Sequence, residues 1–245
     1  MKKLLLTAIA FISAACSASA QVKMNLLSAR EKQQGWQLLF DGKTTDGWHT
    51  FGNKTAGGFW KAKDGMLFPD KSEEANYNDS ERRDLVTDGE FGNFELKLEW
   101  KISQKGNSGI LFYVKDDGIQ GETYETGPEM QVLDNGTPIR RGHPDARLYT
   151  HRAGDLYDLL ASKEEAKPSG QWNAVVIRCK DGQLDFFMNG VHTLRTRLWD
   201  AYWNKMVAIS KFRDMKDFGK FKEGNIALQF HGDAVWFRNI KIRKL

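Results

Sequence analysis

Short alternating segments closed by glycine turns constrain this chain more than any other feature. Phe94-Glu95-Leu96-Lys97-Leu98-Glu99-Trp100 places Phe, Leu, Leu and Trp at every second position, with charges between them. Side chains alternate across a strand, so this segment buries one face and wets the other. Residues 183–188 repeat the logic between Asp181-Gly182 and Asn189-Gly190, two dipeptides that hairpin turns favour. Residues 225–230, a turn at Gly232-Asp233 and residues 234–242 form a third such unit. Many short strands separated by turns imply an all-β sandwich or barrel. Helical periodicity is scarce. Residues 24–34 are expected to form a short helix, and residues 155–165 another that ends ahead of Pro168. Trp36, Trp48, Trp60, Trp100, Trp172 and Trp236 suit a large β core, with some of them available to floor a sugar site.

Residues 1–20 stand apart from this pattern. Lys2-Lys3, an apolar run and Ala18-Ser19-Ala20 read as a secretory signal peptide cleaved after Ala20. The run is too short and wrongly flanked for a membrane span, and no later segment is long and apolar enough for one. Small residues before Cys16 allow the alternative of a lipoprotein anchored at Cys16, although the Leu usual at the position of Ser13 is missing. A periplasmic or secreted protein is therefore expected. Residues 21–33 form an N-terminal segment, and residues 34–245 a single domain without repeats or low-complexity linkers. About 225 residues would remain after cleavage, enough for one substantial core. Two of the four net positive charges are Lys2 and Lys3, and the other basic residues are interspersed with Asp and Glu. Nothing in that balance calls for a nucleic-acid partner. Cys179, in the strand-like run 174–179, is the one cysteine of the mature chain and is expected to be a buried, inert thiol.

The segment Gly-Pro-Glu-Met-Gln-Val-Leu-Asp-Asn-Gly at 127–136 concentrates the chemistry. Met130 and Val132 share one face of a strand and need a core, so Glu129 and Gln131 share the other. Asp134-Asn135-Gly136 ends the strand in a turn. Leu228-Gln229-Phe230-His231 repeats the arrangement, with Gln229 and His231 on the polar face. Two strands are thus expected to present Glu-x-Gln and Gln-x-His to one groove. His143, Asp145, His151, Arg152, Asp155 and Tyr157 crowd the region that follows. Asn107-Ser108-Gly109 reads as a turn feeding a strand, because no base stands near Ser108 in the sequence. The elbow of serine hydrolases, the phosphate loop, the dinucleotide fingerprint and His-Glu-x-x-His are all missing. His and carboxylate groups of this kind are able to bind a divalent metal, but no spacing among them is diagnostic.

Several longer motifs point to a family. They are Leu-Leu-Phe-Asp-Gly-Lys-Thr-Thr-Asp-Gly-Trp-His-Thr-Phe at 38–51, Gly-Asn-Ser-Gly-Ile-Leu-Phe-Tyr-Val at 106–114 and Glu-Thr-Gly-Pro-Glu-Met-Gln-Val-Leu-Asp-Asn at 125–135. Further ones begin at His143, Gly170 and Asn189, and the last runs from Ile226 to the C-terminus. In this order they resemble the secreted 3-keto-disaccharide hydrolase domain family. The resemblance implies a concanavalin A-like jelly-roll β-sandwich with a few short helices, acting on a carbohydrate. It implies cleavage of glycosides already oxidised at C3, by hydrolysis or by removal of the C2 proton and β-elimination at C1. The candidate catalytic residues it suggests are Glu129 or His231 as base and His143 or His151 as acid. Arg152 or a bound divalent metal would stabilise an enolate. Asn107, Gln131, Asp134, Asp155, Tyr157 and Gln229 complete the candidate substrate-binding set. Phe230 departs from the family pattern, which often has Asp there. Two other readings remain open: a classical glycosidase using Glu129 and Asp134 as its carboxylate pair, and a carbohydrate-binding module without catalysis.

Overall fold

The computed structural model describes residues 24–245, so the expected signal peptide and Cys16 lie outside the described residues. In chain order the elements are α1 (Ala29–Gln33), β1 (Gln37–Leu38), β2 (Trp48–Thr50), β3 (Trp60–Lys63), β4 (Met66–Pro69), β5 (Leu85–Thr87) and β6 (Phe94–Ile102). They continue with β7 (Asn107–Val114), β8 (Glu129–Leu133), β9 (Asn173–Lys180), β10 (Gln183–Met188) and β11 (Val191–Arg197). Helix α2 (Ala201–Ile209), β12 (Asn225–Leu228) and β13 (Val235–Lys244) complete the chain. The strands form two antiparallel sheets. The larger runs β11-β10-β9-β6-β13-β4-β3, with β1 added beside β13, and the smaller runs β2-β5-β12-β7-β8. This is the all-β sandwich that the alternating segments require.

The core lies between the sheets. Phe94, Leu96, Leu98 and Trp100 of β6 are all buried, as the alternation demands. Phe112 of the small sheet meets Phe94 and Phe186 of the large one, at ring centroid distances of 6.2 and 6.3 Å. Two bulges interrupt the alternation. In β7, Tyr113 has φ of 60° where the β12 register shifts, so Phe112 and Tyr113 both face the core. In β13, Asn239 has φ of 54° at a second shift, so core residues step from Phe237 to Ile240. An extra residue in one strand of a pair produces such a break. Cys179 is buried and free, and burial pushes its thiol up to about 11.

Two helical expectations change. The first helix is confined to Ala29–Gln33, because Ser28 and Glu31 form a capping box that fixes its start. The segment 155–165 is not helical. Its backbone groups are spent on the free edge of β8: Gln131 N donates to Asp155 O, Gly154 N to Gln131 O and Tyr157 N to Glu129 O, at 2.8–3.0 Å. Sequence reasoning also missed α2. Its signal was Asp200, whose carboxylate accepts from Trp203 N at 2.8 Å, followed by Trp203 and Met206 on the buried side. Of the tryptophans, Trp36, Trp48, Trp60 and Trp100 are core residues. Trp172 and Trp236 are half-buried, with the Lys101 ammonium 5.2 and 4.6 Å from their ring centroids.

Candidate active site

The small sheet is covered on both faces. Its inner face meets the large sheet, and its outer face carries a minor cluster of Phe51, Val86, Leu111, Val114 and Ala227. The register of three strands continues that outer face into a polar row. Leu111 of β7 pairs with Glu129 of β8, and Gly109 with Gln131. On the other side Ala227 of β12 pairs with Leu111, and Gln229 N donates to Gly109 O at 2.9 Å. Asn107, two residues before Gly109, shares the face. These side chains floor a cavity of about 410 Å³ lined by Asn107, Glu129, Gln131, Gln229 and His231, and walled by Tyr124, Tyr157, Lys211 and Met215.

The sequence thus brings Glu129, Gln131, Gln229 and His231 to one cavity, with Asn107 and Tyr157. Burial is deeper than a half-wetted strand implied. Glu129 is 5% exposed and Gln131 1%, because the walls rise around the strand face. Three close contacts position the floor. Asn107 N donates to Asp233 at 3.0 Å, Ser108 Oγ to Gln229 O at 2.8 Å, and Phe230 N to Asp84 at 2.9 Å. Ser108 therefore locks two strands together, and Asn107-Ser108-Gly109 opens β7 rather than forming a turn. Phe230 points away from the cavity and packs edge-on against Phe59, with centroids 4.8 Å apart.

Several groups in the cavity have no partner. The Asn107 Oδ1 is buried without a hydrogen bond among the described residues. Gln131 Oε1 accepts from Val132 N at 3.0 Å, and its amide nitrogen makes no hydrogen bond among the described residues. The Glu129 carboxyl makes no side-chain hydrogen bond or ion pair among the described residues. It lies over Gly109, where an added Cβ would stand 2.6 Å from its Cδ. Burial pushes Glu129 up to about 8, the positive Lys211 pulling the other way and Asp84 adding to the rise. Such a group exchanges protons near neutral pH.

The walls come from three segments. Tyr157 is held against β8 by its own N–H to Glu129 O at 3.0 Å. Asp158, next in the chain with φ of 57°, binds Lys211 N at 2.7 Å and His151 Nε2 at 2.8 Å, and its N–H donates to Thr150 O. One carboxylate thereby ties the Tyr157 turn to the segment after α2. The Lys211 ammonium lies 3.9 Å from the Tyr157 ring centroid. Burial at that end lowers the Lys211 pKa, with Glu129, Asp158 and Asp145 opposing the change.

Five candidate residues do not line the cavity. His143 caps a short 3-10 turn, its Nδ1 accepting from Asp145 N at 3.2 Å. His151 pairs with Asp158 and packs its ring 4.4 Å from that of Tyr157, supporting the wall from behind. Arg152 donates to Ala146 O at 3.0 Å and pairs with Glu164. Asp155 closes its own turn, accepting from Arg152 N and Ser162 N at 2.8 and 2.7 Å. Asp134 accepts from Lys105 N and Gly136 N at 2.7 and 3.1 Å. Each is a polar or charged side chain used to organise a loop, a use that composition does not distinguish from catalysis. Tyr124, Lys211 and Met215 were missed because they arrive from loops with no periodic signal. No three His, Cys, Asp or Glu side chains among the described residues stand close enough to hold a metal ion. The cavity offers one carboxylate, one imidazole and three amides, fewer strong donors than an all-protein zinc-type site uses.

Comparison with known proteins decides the family. The sequence pattern of the 3-keto-alpha-glucoside-1,2-lyase-like domain matches residues 35–243. The chain belongs to the 3-keto-alpha-glucoside-1,2-lyase-like family. A 3-keto-disaccharide hydrolase of Bacteroides thetaiotaomicron is 34% identical over 245 residues, spanning 91% of this chain and 83% of that protein. The crystal structure of a candidate glycosyl hydrolase from Parabacteroides distasonis superposes with a TM-score of 0.78 at 30% identity, covering 91% of this chain and all of that one. A second one from the same organism, at 22% identity and TM-score 0.62, shares the fold. Membership makes the chain an enzyme of the glycoside hydrolase and lyase kind.

Proposed function

We propose that this enzyme cleaves glycosides whose sugar carries a ketone at C3, using Glu129 as the base that removes the C2 proton. The observation that carries the reading is the Glu129 carboxyl itself: buried, unpaired among the described residues, poised near neutral pH and set over Gly109 on the cavity floor. A C3 ketone acidifies the C2 proton. Its removal builds an enolate, and collapse of the enolate expels the C1 substituent. Water then adds to C1 if the outcome is hydrolysis. His231, exposed at the cavity rim, is placed to give a proton to the departing oxygen. Asn107, Gln131, Gln229 and Tyr157 supply unpaired donors and acceptors for sugar hydroxyls. A classical glycosidase needs a second carboxyl across the bond being cleaved. Asp134 is committed to Lys105 N and Gly136 N, which leaves Glu129 as the one carboxylic acid among the described residues that line the cavity.

The test is release of aglycone from a 3-keto-glycoside and from the same glycoside unoxidised. Cleavage is expected of the keto form alone. Equal turnover of the two would restore the paired-carboxylate reading. His231→Asn is expected to lower kcat on the keto form by roughly 10²-fold, the scale of a lost acid–base group, and by less where the leaving group is an acidic phenol that departs without a proton.

The basic start, apolar run and small-residue site of residues 1–20 support export with cleavage after Ala20. The intact mass of the protein purified from its native host is expected to begin at Gln21. A diacylglyceryl mass on Cys16 would replace that reading with a lipid-anchored one.

A further inference from the structure

An enolate mechanism needs a positive partner for the oxygen at C3, and the group that the resemblance suggested for it, Arg152, is turned away toward Ala146 and Glu164. Among the described residues lining the cavity, Lys211 is the one lysine or arginine. We propose that the Lys211 ammonium binds the C3 carbonyl oxygen and holds the enolate charge, as a catalytic residue acting opposite Glu129. This inference rests on the reading of the cavity given above.

Four observations carry it. Lys211 Nζ takes part in no ion pair and no hydrogen bond among the described residues, although other lysines of the chain do, such as Lys115 with Glu90 and Lys241 with Glu31. It shares its cavity with the unpaired Glu129 carboxyl, close enough for each charge to act on the other, yet no ion pair joins them. A free ammonium and a free carboxylate kept apart across one cavity leave room for a ligand group between them. The Lys211 ammonium is held by the Tyr157 face at 3.9 Å and the Phe212 face at 5.2 Å, contacts that steady a cation without using up its three donors. Finally, its backbone is fixed: Lys211 N donates to Asp158, whose carboxylate also receives His151, so the lysine starts from a built anchor.

The step balances without any outside reagent. The Glu129 carboxylate takes the C2 proton. The C2–H electron pair becomes the C2=C3 double bond, and the carbonyl π pair moves onto O3, beside the Lys211 ammonium. Reforming C3=O then shifts the pair into a C1=C2 double bond. The C1–O bond breaks, and the leaving oxygen departs with its electrons to be protonated. A charge developing where a fixed cation already stands is the arrangement that lowers such a barrier most effectively.

The experiment compares the parent protein, Lys211→Met and Lys211→Arg on a methyl 3-keto-glucoside. It follows cleavage and, in heavy water, exchange of the C2 hydrogen by NMR, with thermal melts to confirm that each variant is folded. Lys211→Met is expected to lower kcat and C2 exchange together by roughly 10²-fold or more, with a smaller change in KM. Lys211→Arg, which keeps the charge, is expected to recover part of both. A folded Lys211→Met protein within about threefold of the parent in exchange and cleavage would remove Lys211 from the mechanism and leave the Glu129 reading standing. A parent protein that neither exchanges C2 nor cleaves the keto-sugar would end both. Borohydride treatment during turnover separates the ionic role from a covalent one. A reduced sugar adduct on Lys211 would overturn the ionic role in favour of an iminium.

Discussion

Replacing Glu129 by Gln is expected to slow cleavage of a 3-keto-glycoside by roughly 10²-fold or more while making the protein harder to unfold at alkaline pH. The two effects share one cause. Burial raises the carboxyl from its ordinary 4.5 to about 8, so the charged form is disfavoured in the fold. In the unfolded chain the group has its ordinary pKa and loses its proton first. Between the two values the folded state therefore holds more protons than the unfolded one, and stability falls as pH rises through that window. Above it the penalty is fully present, on the order of a few kcal/mol. Glu129→Gln removes the charge, so its advantage in thermal midpoint should be small near pH 4 and should grow until about pH 8. Activity of the parent runs in the opposite sense, because the base works only when deprotonated: kcat/KM is expected to climb with pH up to about 8. An activity profile flat across that range, or equal midpoints for parent and variant at high pH, would show that Glu129 does not carry the strained charge.

Gly109→Ala is the second large effect. Gly109 belongs to the middle of β7, where its backbone needs no special conformation; what its missing side chain supplies is room. A Cβ there would stand 2.6 Å from Glu129 Cδ and 2.9 Å from Glu129 Cγ. The carboxyl must move, and it has only the cavity to move into. Displacing a reacting group by about an ångström is able to cost roughly 10²-fold in rate, and overfilling a packed site costs about 1–3 kcal/mol in stability. A fall in kcat of that order is expected from a single methyl group that touches no substrate. Combined with Glu129→Gln, the added methyl should slow cleavage little further, since the group it displaces has already been disabled. Full additivity of the two changes in a kinetic cycle would point to damage elsewhere.

The sandwich was legible in the sequence because its strands obey period two and its hairpins end in Asp-Gly and Asn-Gly. The floor of the cavity was legible for the same reason. Met130 and Val132 had to face the core, which fixed the direction of Glu129 and Gln131, and Leu228 did the same for Gln229 and His231. The walls obey no such rule. Tyr157 reaches the cavity because residues 154–157 pair along β8, a tertiary event that a residue-by-residue reading mistook for helix. Lys211 follows a helix whose only announcement was the cap at Asp200, and its place depends on a carboxylate more than fifty positions earlier in the chain. The five candidates that do not line the cavity, His143, His151, Arg152, Asp155 and Asp134, were drawn in by the sequence for one reason. Loops that organise a site need the same short polar and charged side chains as the site itself.

The pairing of residues 154–157 with β8 makes one segment serve two purposes, since it carries the Tyr157 wall and also shields the outermost strand of the small sheet. A wall of that kind is a poor lid. Swinging it away would strip hydrogen-bonding partners from Glu129 and Gln131 and bare a strand edge to any neighbouring molecule, the usual route to aggregation. The cavity is therefore built to stand open and already shaped before a sugar arrives, and a keto-sugar soaked into crystals of the free enzyme should enter without moving this segment.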